Sequence, residues 1–250
     1  MPNDVIVFAG PSLTPSDRQG ADHVTFRPPV GRGDVLRALR CRPRAIGVVD
    51  GVFGDAPAVL HKELLEAMSR GISVCGAASM GALRACELSR YGMVGIGRVF
   101  SDYASGRRTA DADVAVLHGP AALHHQALTV PIVEVDETAE ALQQSGHFSL
   151  SDAAKIRDAA RRIFFADRTW SRLAEIAGRE VEVAGLEALL RRHHVHRKRH
   201  DACTLLAAIG DIPVPETPPP ALTLHYRRHL DAAGAPARIT RRRPAAPDRR

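Results

Sequence analysis

The chain has 250 residues, and 45% of them are hydrophobic, which is enough for one sizeable α/β domain or for one domain plus an appendage. No apolar run approaches the roughly 20 residues that a membrane-spanning helix needs, so no membrane association is expected. The four cysteines form no C-x-x-C pair, and the first residues lack the basic flank of a signal peptide. The sequence therefore predicts a cytoplasmic protein without a cysteine-based zinc site.

The net charge of +6 is concentrated toward the carboxyl terminus. Residues 191–250 hold 13 of the 34 basic residues but only 5 of the 28 acidic ones. A segment of this kind is either a solvated tail or a surface that steers an acidic partner toward the chain. No RNA-recognition signature accompanies the charge, so the sequence does not predict a nucleic-acid partner.

Short apolar runs alternate with helical patterns in the first half of the chain. The pattern predicts strands at residues 5–9, 23–26, 45–49, 72–75, 114–117 and 132–135. The helices predicted among them are residues 35–40, 57–70 and 79–89. Strands that alternate with helices at this spacing form parallel sheets with covered faces. The sequence therefore predicts an α/β fold with a mostly parallel sheet core and flanking helices.

Beyond residue 135 only helical patterns remain. The predicted helices are residues 138–145, 151–165, 169–177, 183–194 and 201–209. The chain thus divides into an α/β core (1–135), a helical C-terminal region (136–212) and a Pro/Arg-rich tail (213–250). We expect the tail to be partly disordered and its part after about Thr217 to be dispensable for hydrolysis, although the apolar spacing of residues 222–230 also allows a short helix.

The turn after the fourth predicted strand carries a candidate nucleophile. Small residues surround Ser79 in the run Cys75-Gly-Ala-Ala-Ser-Met-Gly81, and a predicted helix follows. This arrangement resembles a nucleophile elbow, in which a sharp turn exposes a serine hydroxyl. The N–H groups of the next residues, Met80 and Gly81, would then stabilise an oxyanion. The alternative is that Ser79 only caps the helix, since serine is a favoured N-cap residue.

Lysine is rare in this chain, because only three of the 34 basic residues are lysines. Arginine cannot lose its proton, so a lysine kept within an apolar stretch is a candidate base. Lys62 lies on the predicted helix before the strand that leads to Ser79, and the two residues are candidates for a Ser–Lys pair. The alternatives are that Lys62 is exposed and paired with Glu66, and that a histidine such as His118 serves as the base.

Two further side chains are candidates for supporting this pair. Asp50 ends the third predicted strand, where α/β proteins gather ligand-binding groups. Its carboxylate is expected either to hold Lys62 or to cap the next helix, and residues 10–12 are expected to line the same crevice. Arg84 is expected to lower the pKa of Lys62 by its positive charge.

Two histidines, His196 and His200, have the spacing of zinc ligands on one helix face. They stand in a run of basic residues, which favours a solvated basic face instead. The P-loop pattern of nucleotide-binding proteins is absent. The sequence therefore predicts neither a metal site nor a cofactor.

Several segments, in the same order along the chain, together resemble the TfuA-like family. They are residues 26–29 (FRPP), 33–34 (GD), 50–53 (DGVF), 57–63 (PAVLHKE), 76–85 (GAASMGALRA), 87–88 (EL), 91–97 (YGMVGIG), 113–116 (DVAV) and 118–120 (HGP). The resemblance extends over about residues 4–135, whereas the helical region and the tail match poorly.

The resemblance implies a function in peptide backbone thioamidation. TfuA-like proteins accompany YcaO enzymes, which activate the peptide amide with ATP. They hydrolyse the C-terminal thiocarboxylate of a ThiS-like sulfur-carrier protein to release sulfide, and they help YcaO to hold the precursor peptide. The family uses a Ser–Lys pair, and the motif match assigns it to Ser79 and Lys62. Asp50, Arg84 and His118 would then support the pair or bind substrate.

Two other functions remain open from the sequence. The chain could be a non-catalytic adaptor that docks the sulfur carrier to YcaO, with Ser79 as a helix cap and Lys62 gripping the carboxyl end of the carrier. It could also be a free-standing ester or peptide hydrolase. Release of sulfide from a thiocarboxylated carrier would separate these functions.

Overall fold

Five short strands form a single parallel sheet. The computed structural model describes residues 4–54, 56–178 and 183–237. Within them the strands are β1 (Val5–Phe8), β2 (Val24–Arg27), β3 (Ala45–Val48), β4 (Ser73–Ala77) and β5 (Val94–Ile96). They pair in the order β2-β1-β3-β4-β5. Because all the strands are parallel, their carboxyl ends lie along one edge of the sheet, where α/β proteins bind their ligands.

Helices cover this sheet and form a further layer after it. The helices that follow strands are α1 (Asp34–Ala38), α2 (His61–Ser69), α3 (Met80–Leu88) and α4 (Gly97–Ala104). The later ones are α5 (Ile132–Gln144), α6 (Leu150–Arg162), α7 (Trp170–Ala177), α8 (Val183–Arg192), α9 (Arg197–Ala208) and α10 (Leu224–Ala233). The predicted α/β fold with a helical C-terminal region is therefore confirmed. In the described ranges, no helix has the length and apolar character required to span a bilayer.

Alternate side chains of each strand pack on opposite faces of the sheet. Ile6 and Phe8 of β1 join α1 and α2 in one core, whereas Val5 and Val7 join α9 in another. All four side chains are buried. Helices α2 and α9 therefore cover opposite faces of the sheet.

A separate core lies within the helical region. Helices α5, α6, α7 and α8 enclose buried apolar side chains, which include Leu142, Ile156, Trp170, Leu173 and Leu190. Helix α9 contacts α4, α5 and β4, so it joins this helical region to the sheet.

Two of the predicted strands are wrong. Residues 132–135 begin α5, whose N-cap residue is Pro131 and whose apolar positions 132, 135, 139 and 142 continue at helical spacing. Residues 114–117 follow a turn of 3₁₀ helix and form no strand. A short apolar run cannot be assigned to a strand or a helix by its own pattern, and both predictions rested on such runs.

The start of α2 also differs from the prediction. The helix begins at His61 rather than near Pro57, because the residues before it are extended and pair with the loop ahead of α1. The Pro57 carbonyl accepts a hydrogen bond from Arg32 N–H at 2.9 Å. The Glu63 carboxylate then accepts hydrogen bonds from Leu60 N–H at 3.2 Å and from Gly33 N–H at 2.9 Å, which fixes the first turn of α2.

Part of the predicted tail is helical. Helix α10 packs on the α1–α2 side of the sheet, and Tyr226 is buried there. The Tyr226 hydroxyl donates to the Lys62 carbonyl at 2.8 Å, and His229 lies 3.1 Å from the Glu63 carboxylate. The short helix that the sequence allowed at residues 222–230 is thus present. Residues 238–250 lie outside the described residues.

Candidate active site

A cavity of about 380 Å³ opens at the carboxyl ends of β3 and β4. Its lining includes Asp50, Ser79, His118 and Lys198. Asp50 follows β3 closely, Ser79 follows β4, and Lys198 lies in the first turn of α9. The cavity therefore lies at the edge where parallel α/β sheets gather ligand-binding groups.

Ser79 lies in a tight turn between β4 and α3. Ala78 before it has a φ of 65°, and Ser79 N–H donates to the Ala77 carbonyl at 2.7 Å, which makes a three-residue γ-turn. A left-handed alanine costs about 1–2 kcal/mol, and such strain is concentrated at functional sites. Ser79 holds the N-cap position of α3, yet its side chain makes no cap hydrogen bond. The interpretation of Ser79 as a mere helix cap is therefore disfavoured.

Two glycines let α3 approach the sheet closely. A Cβ atom at Gly81 would overlap the Val48 carbonyl group, and one at Gly76 would overlap the carbonyl group of Gly81. At this close approach, Gly81 N–H donates to the Val49 carbonyl at 3.2 Å. No acceptor within the described ranges takes the N–H of Met80, which lines the cavity. Of the two expected oxyanion donors, Met80 is available and Gly81 is engaged.

Three hydrogen bonds hold the carboxylate of Asp50. It accepts from Gly10 N–H at 2.8 Å, from Ser12 N–H at 3.0 Å and from the Ser12 hydroxyl at 2.6 Å. Asp50 is buried, and Pro11 lines the same cavity. Asp50 therefore fixes the loop after β1. It neither holds Lys62 nor caps the following helix.

The lysine that reaches the cavity is Lys198. It is 4% exposed, and its ammonium group lies 3.0 Å from the Val114 carbonyl and 4.0 Å from the Asp50 carboxylate. Burial lowers the pKa of Lys198, an effect that the charges of Asp50 and Glu134 oppose. Because burial lowers its pKa, Lys198 gives up its proton more readily than an exposed lysine does, and it is therefore a candidate base.

Sequence reasoning missed Lys198 because this lysine stands in a basic run. Its helical position carried the signal, since Lys198 shares one face of α9 with three fully buried apolar residues: Ala202, Leu205 and Ile209. In a chain that otherwise uses arginine, a lysine kept among apolar residues is a candidate base, and Lys198 meets this criterion.

Lys62 lies in α2, which covers the opposite face of the sheet from α9. Its ammonium group donates to the Ala221 carbonyl at 3.3 Å and lies 5.2 Å from the centre of the Tyr226 ring. It does not belong to the described residues that line the cavity. The structure thus brings Lys198, rather than Lys62, to the cavity that Ser79 lines.

The other expected partners of Lys62 are engaged elsewhere. Arg84 pairs with Glu87 at 2.8 Å and is not one of the described residues at the cavity. Glu66 pairs with Arg70, also at 2.8 Å. Neither contact involves the ammonium group of Lys62.

His118 lines the cavity, as its candidate role requires. Its Nδ1 atom lies 2.8 Å from the Gly119 carbonyl, which orients the ring. The ring packs edge-on against His125 at a centroid distance of 5.3 Å. Burial lowers the pKa of His125, and the proximity of His118 acts in the same direction.

An aromatic rim, defined here as Phe53, Phe164 and Phe165, lines one side of the cavity. Phe165 packs against Phe53 at a centroid distance of 5.6 Å and against Phe164 at 4.5 Å. Phe53 is 43% exposed and Phe164 is 65% exposed. Sequence reasoning missed this rim because Phe53 is far in sequence from the other two residues, which follow α6.

Comparison with known proteins adds one match. No curated protein matches this chain. Residues 50–169 match the model of a protein family described as TfuA-like protein. The matched range includes Asp50, Ser79 and the aromatic rim, and it ends before Lys198. The predicted resemblance to the TfuA-like family is thus confirmed over residues 50–169.

Proposed function

We propose that this chain hydrolyses the C-terminal thiocarboxylate of a ThiS-like sulfur-carrier protein in the cytoplasm and releases sulfide to a YcaO partner. One observation carries the proposal: Ser79, in a strained turn and without a cap hydrogen bond, lines one cavity together with the buried Lys198. The resemblance to the TfuA-like family implies a Ser–Lys pair. We assign the lysine of that pair to Lys198 instead of Lys62.

The proposed reaction begins with proton transfer. Neutral Lys198 accepts the proton of the Ser79 hydroxyl while the Ser79 Oγ atom attacks the thiocarboxylate carbon. Lys198 then passes this proton to the sulfur atom, the carbon–sulfur bond breaks as the tetrahedral intermediate collapses, and hydrosulfide leaves. Water then attacks the acyl ester and frees the serine. The overall reaction consumes one water molecule and yields the carrier carboxylate, hydrosulfide and one proton.

Two further groups would assist these steps. The N–H of Met80 is the available backbone donor for the oxyanion of the tetrahedral intermediate. Asp50, held by the loop after β1, would position Lys198 from 4.0 Å away. His118 lines the same cavity and is a candidate for contact with the substrate.

The size of the cavity favours the end of a chain as substrate. About 380 Å³ admits a few residues of an extended segment rather than a folded domain. The exposed aromatic rim offers an apolar surface beside the entrance, where a carrier protein would rest while its carboxyl end enters. The same rim would serve a non-catalytic adaptor, which is therefore the second candidate function.

The decisive experiment follows sulfide release from a thiocarboxylated carrier protein by the full chain. We expect Ser79→Ala to abolish release and Ser89→Ala, an exposed serine at the end of the same helix, to leave it unchanged. Thermal unfolding of both variants controls for folding. Normal turnover by a folded Ser79→Ala variant would refute the assignment of Ser79 as the nucleophile. Binding of carrier and YcaO by a wild-type chain that releases no sulfide would identify an adaptor.

A further inference from the structure

Three side chains with metal-binding chemistry converge beside the start of α9. Glu134 lies in the first turn of α5, while His194 and His196 lie in the link between α8 and α9. One ligand atom from each of them lies within 4.8 Å of the others. These residues form a cluster of two imidazoles and one carboxylate, which is distinct from the cavity that Ser79 lines.

The two histidines are presented together by the local backbone. They are two residues apart in a link that is not helical, and in an extended segment residues with this spacing lie on the same side. Between them, Val195 N–H donates to the Thr138 hydroxyl at 3.0 Å, which fixes the link against α5. The two imidazole rings have a centroid distance of 3.9 Å.

Outer contacts orient Glu134 and His194. One oxygen of Glu134 accepts from Lys198 N–H at 3.0 Å, so the other oxygen faces His194 Nε2 at 2.8 Å. The Trp170 ring packs edge-on against His194 at 5.0 Å. Outer contacts that hold ligand side chains in place are a regular feature of metal sites. The side chain of Glu134 is buried, while His196 is exposed and leaves one side of the cluster open to solvent.

We propose that Glu134, His194 and His196 bind a divalent transition-metal ion, with Zn²⁺ as the best match to the two-imidazole, one-carboxylate donor set. Such an ion takes its ligands at about 2.0–2.2 Å, so the ligand atoms of a tetrahedral site lie about 3.3 Å apart. The cluster reaches this geometry by small side-chain rotations, in which the ion replaces the hydrogen bond between Glu134 and His194. Water takes the open fourth position.

The bound ion would link α5 to the segment that leads into α9. Without the ion, these elements are joined here by hydrogen bonds and by the Glu134–His194 contact at 2.8 Å. With the ion, three ligand bonds cross the same junction. The inference concerns binding alone and does not depend on the proposed sulfur chemistry.

Calorimetric titration of the metal-free full chain with Zn²⁺ tests the site, without an appended histidine tag. We expect one ion per chain and an affinity at least about ten-fold lower in His196→Ala. His196 is exposed, so this variant keeps the fold. The matched control is His200→Ala, which removes an exposed histidine of the next turn and should bind as the wild type does.

Two further measurements make the outcome clear. Zn²⁺ should raise the unfolding temperature of the wild type and of His200→Ala but not of His196→Ala. Glu134→Gln, which preserves the size of the side chain, should weaken binding as His196→Ala does. The absence of one-to-one binding in the wild type, or equal affinity in wild type and His196→Ala, would overturn the proposal.

Discussion

The ammonium group of Lys198 lies 4.0 Å from the carboxylate of Asp50, across the edge of the sheet. Asp50 comes after β3 and is fixed by hydrogen bonds from Gly10 and Ser12, whereas Lys198 comes from α9. The contact therefore brings together the loop after β1, the end of β3 and the start of α9. The helix α9 thus supplies a charged group to a cavity that Asp50 and Ser79 line from the ends of strands.

The first prediction separates the two candidate lysines. Lys198→Met should lower the rate of sulfide release by about 10²-fold or more, because it removes the proposed base and nearly preserves side-chain volume. Lys62→Met should retain most of the rate, because the Lys62 ammonium contacts Ala221 and Tyr226. Steady-state rates with a thiocarboxylated carrier provide the measurement. The reverse ranking of the two variants would restore Lys62 as the base.

The second prediction concerns the close crossing of α3 over the sheet. Gly81→Ala should lower the free energy of unfolding by more than about 2 kcal/mol, because a Cβ atom there overlaps the Val48 carbonyl group. It should also impair activity by displacing Met80 and Ser79. Gly185→Ala is the matched control, since no atom lies within 4 Å of the Cβ position in this helix. That variant should gain up to about 1 kcal/mol from helix propensity. Urea unfolding of both variants tests the contrast.

The sequence was sufficient for four of the five strands, β1 to β4, and for the tight turn that holds Ser79. The apolar runs that became β1, β3 and β4 are flanked by glycine or proline residues, which mark the ends of strands. The small residues around Ser79, between a strand and a helix, indicate a sharp turn. It was insufficient for β5, which has only three residues and no strong pattern. It also misassigned residues 132–135, because their helical period becomes visible only when the positions up to Leu142 are included.

The apolar face of α9 marks Lys198 as a candidate, but local pattern alone could not decide between the two lysines. Both Lys62 and Lys198 lie in the first turn of a helix that packs on the sheet. Which of them reaches the cavity depends on the face that each helix covers, and this is a property of the topology. The helix that covers Lys62, α10, lies more than 150 residues later in the chain, and its contacts were not foreseeable from the motif around Lys62.

The third prediction concerns acid stability. Asp17 accepts hydrogen bonds from the Arg199 guanidinium at 2.6 and 2.8 Å, and chiefly these hold the pKa of Asp17 well below its usual range. The contact therefore stabilises the fold above the ordinary aspartate pKa and is lost as the pH falls toward the lowered value. Asp17→Asn should lower stability near neutral pH and flatten its decline below about pH 4. Asp22→Asn, at an exposed position, is the control in urea unfolding at several pH values.

The salt dependence of the same contact gives an independent check. The Arg199 side chain is 47% exposed, so dissolved ions screen its interaction with Asp17. The difference in stability between the wild type and Asp17→Asn should therefore shrink at high salt. An unchanged difference at every pH and salt concentration would mean that the contact contributes through packing alone.

The last prediction concerns the C-terminal segment. Truncation before Pro218 removes α10 and exposes the α1–α2 side of the sheet, where Tyr226 and Ala233 are buried. It should destabilise the fold by several kcal/mol, since loss of one buried aromatic side chain alone costs about 3–5 kcal/mol. The structure leads to a narrower expectation than the sequence, which predicts that the segment after about Thr217 is dispensable for hydrolysis. Truncation after Ala237 keeps the contacts that α10 makes with the other described residues and should leave the unfolding temperature unchanged.

The variant Tyr226→Phe separates the hydroxyl group of this residue from its ring. It removes the hydrogen bond to the Lys62 carbonyl and keeps the buried ring, so we expect a loss of about 1 kcal/mol. Thermal and urea unfolding of the two truncations and of this variant provide the measurement. If the chain truncated before Pro218 unfolds at the same temperature as the full chain, α10 contributes nothing to the core. If both truncations are equally destabilised, the stabilising segment lies beyond Ala237 rather than in α10.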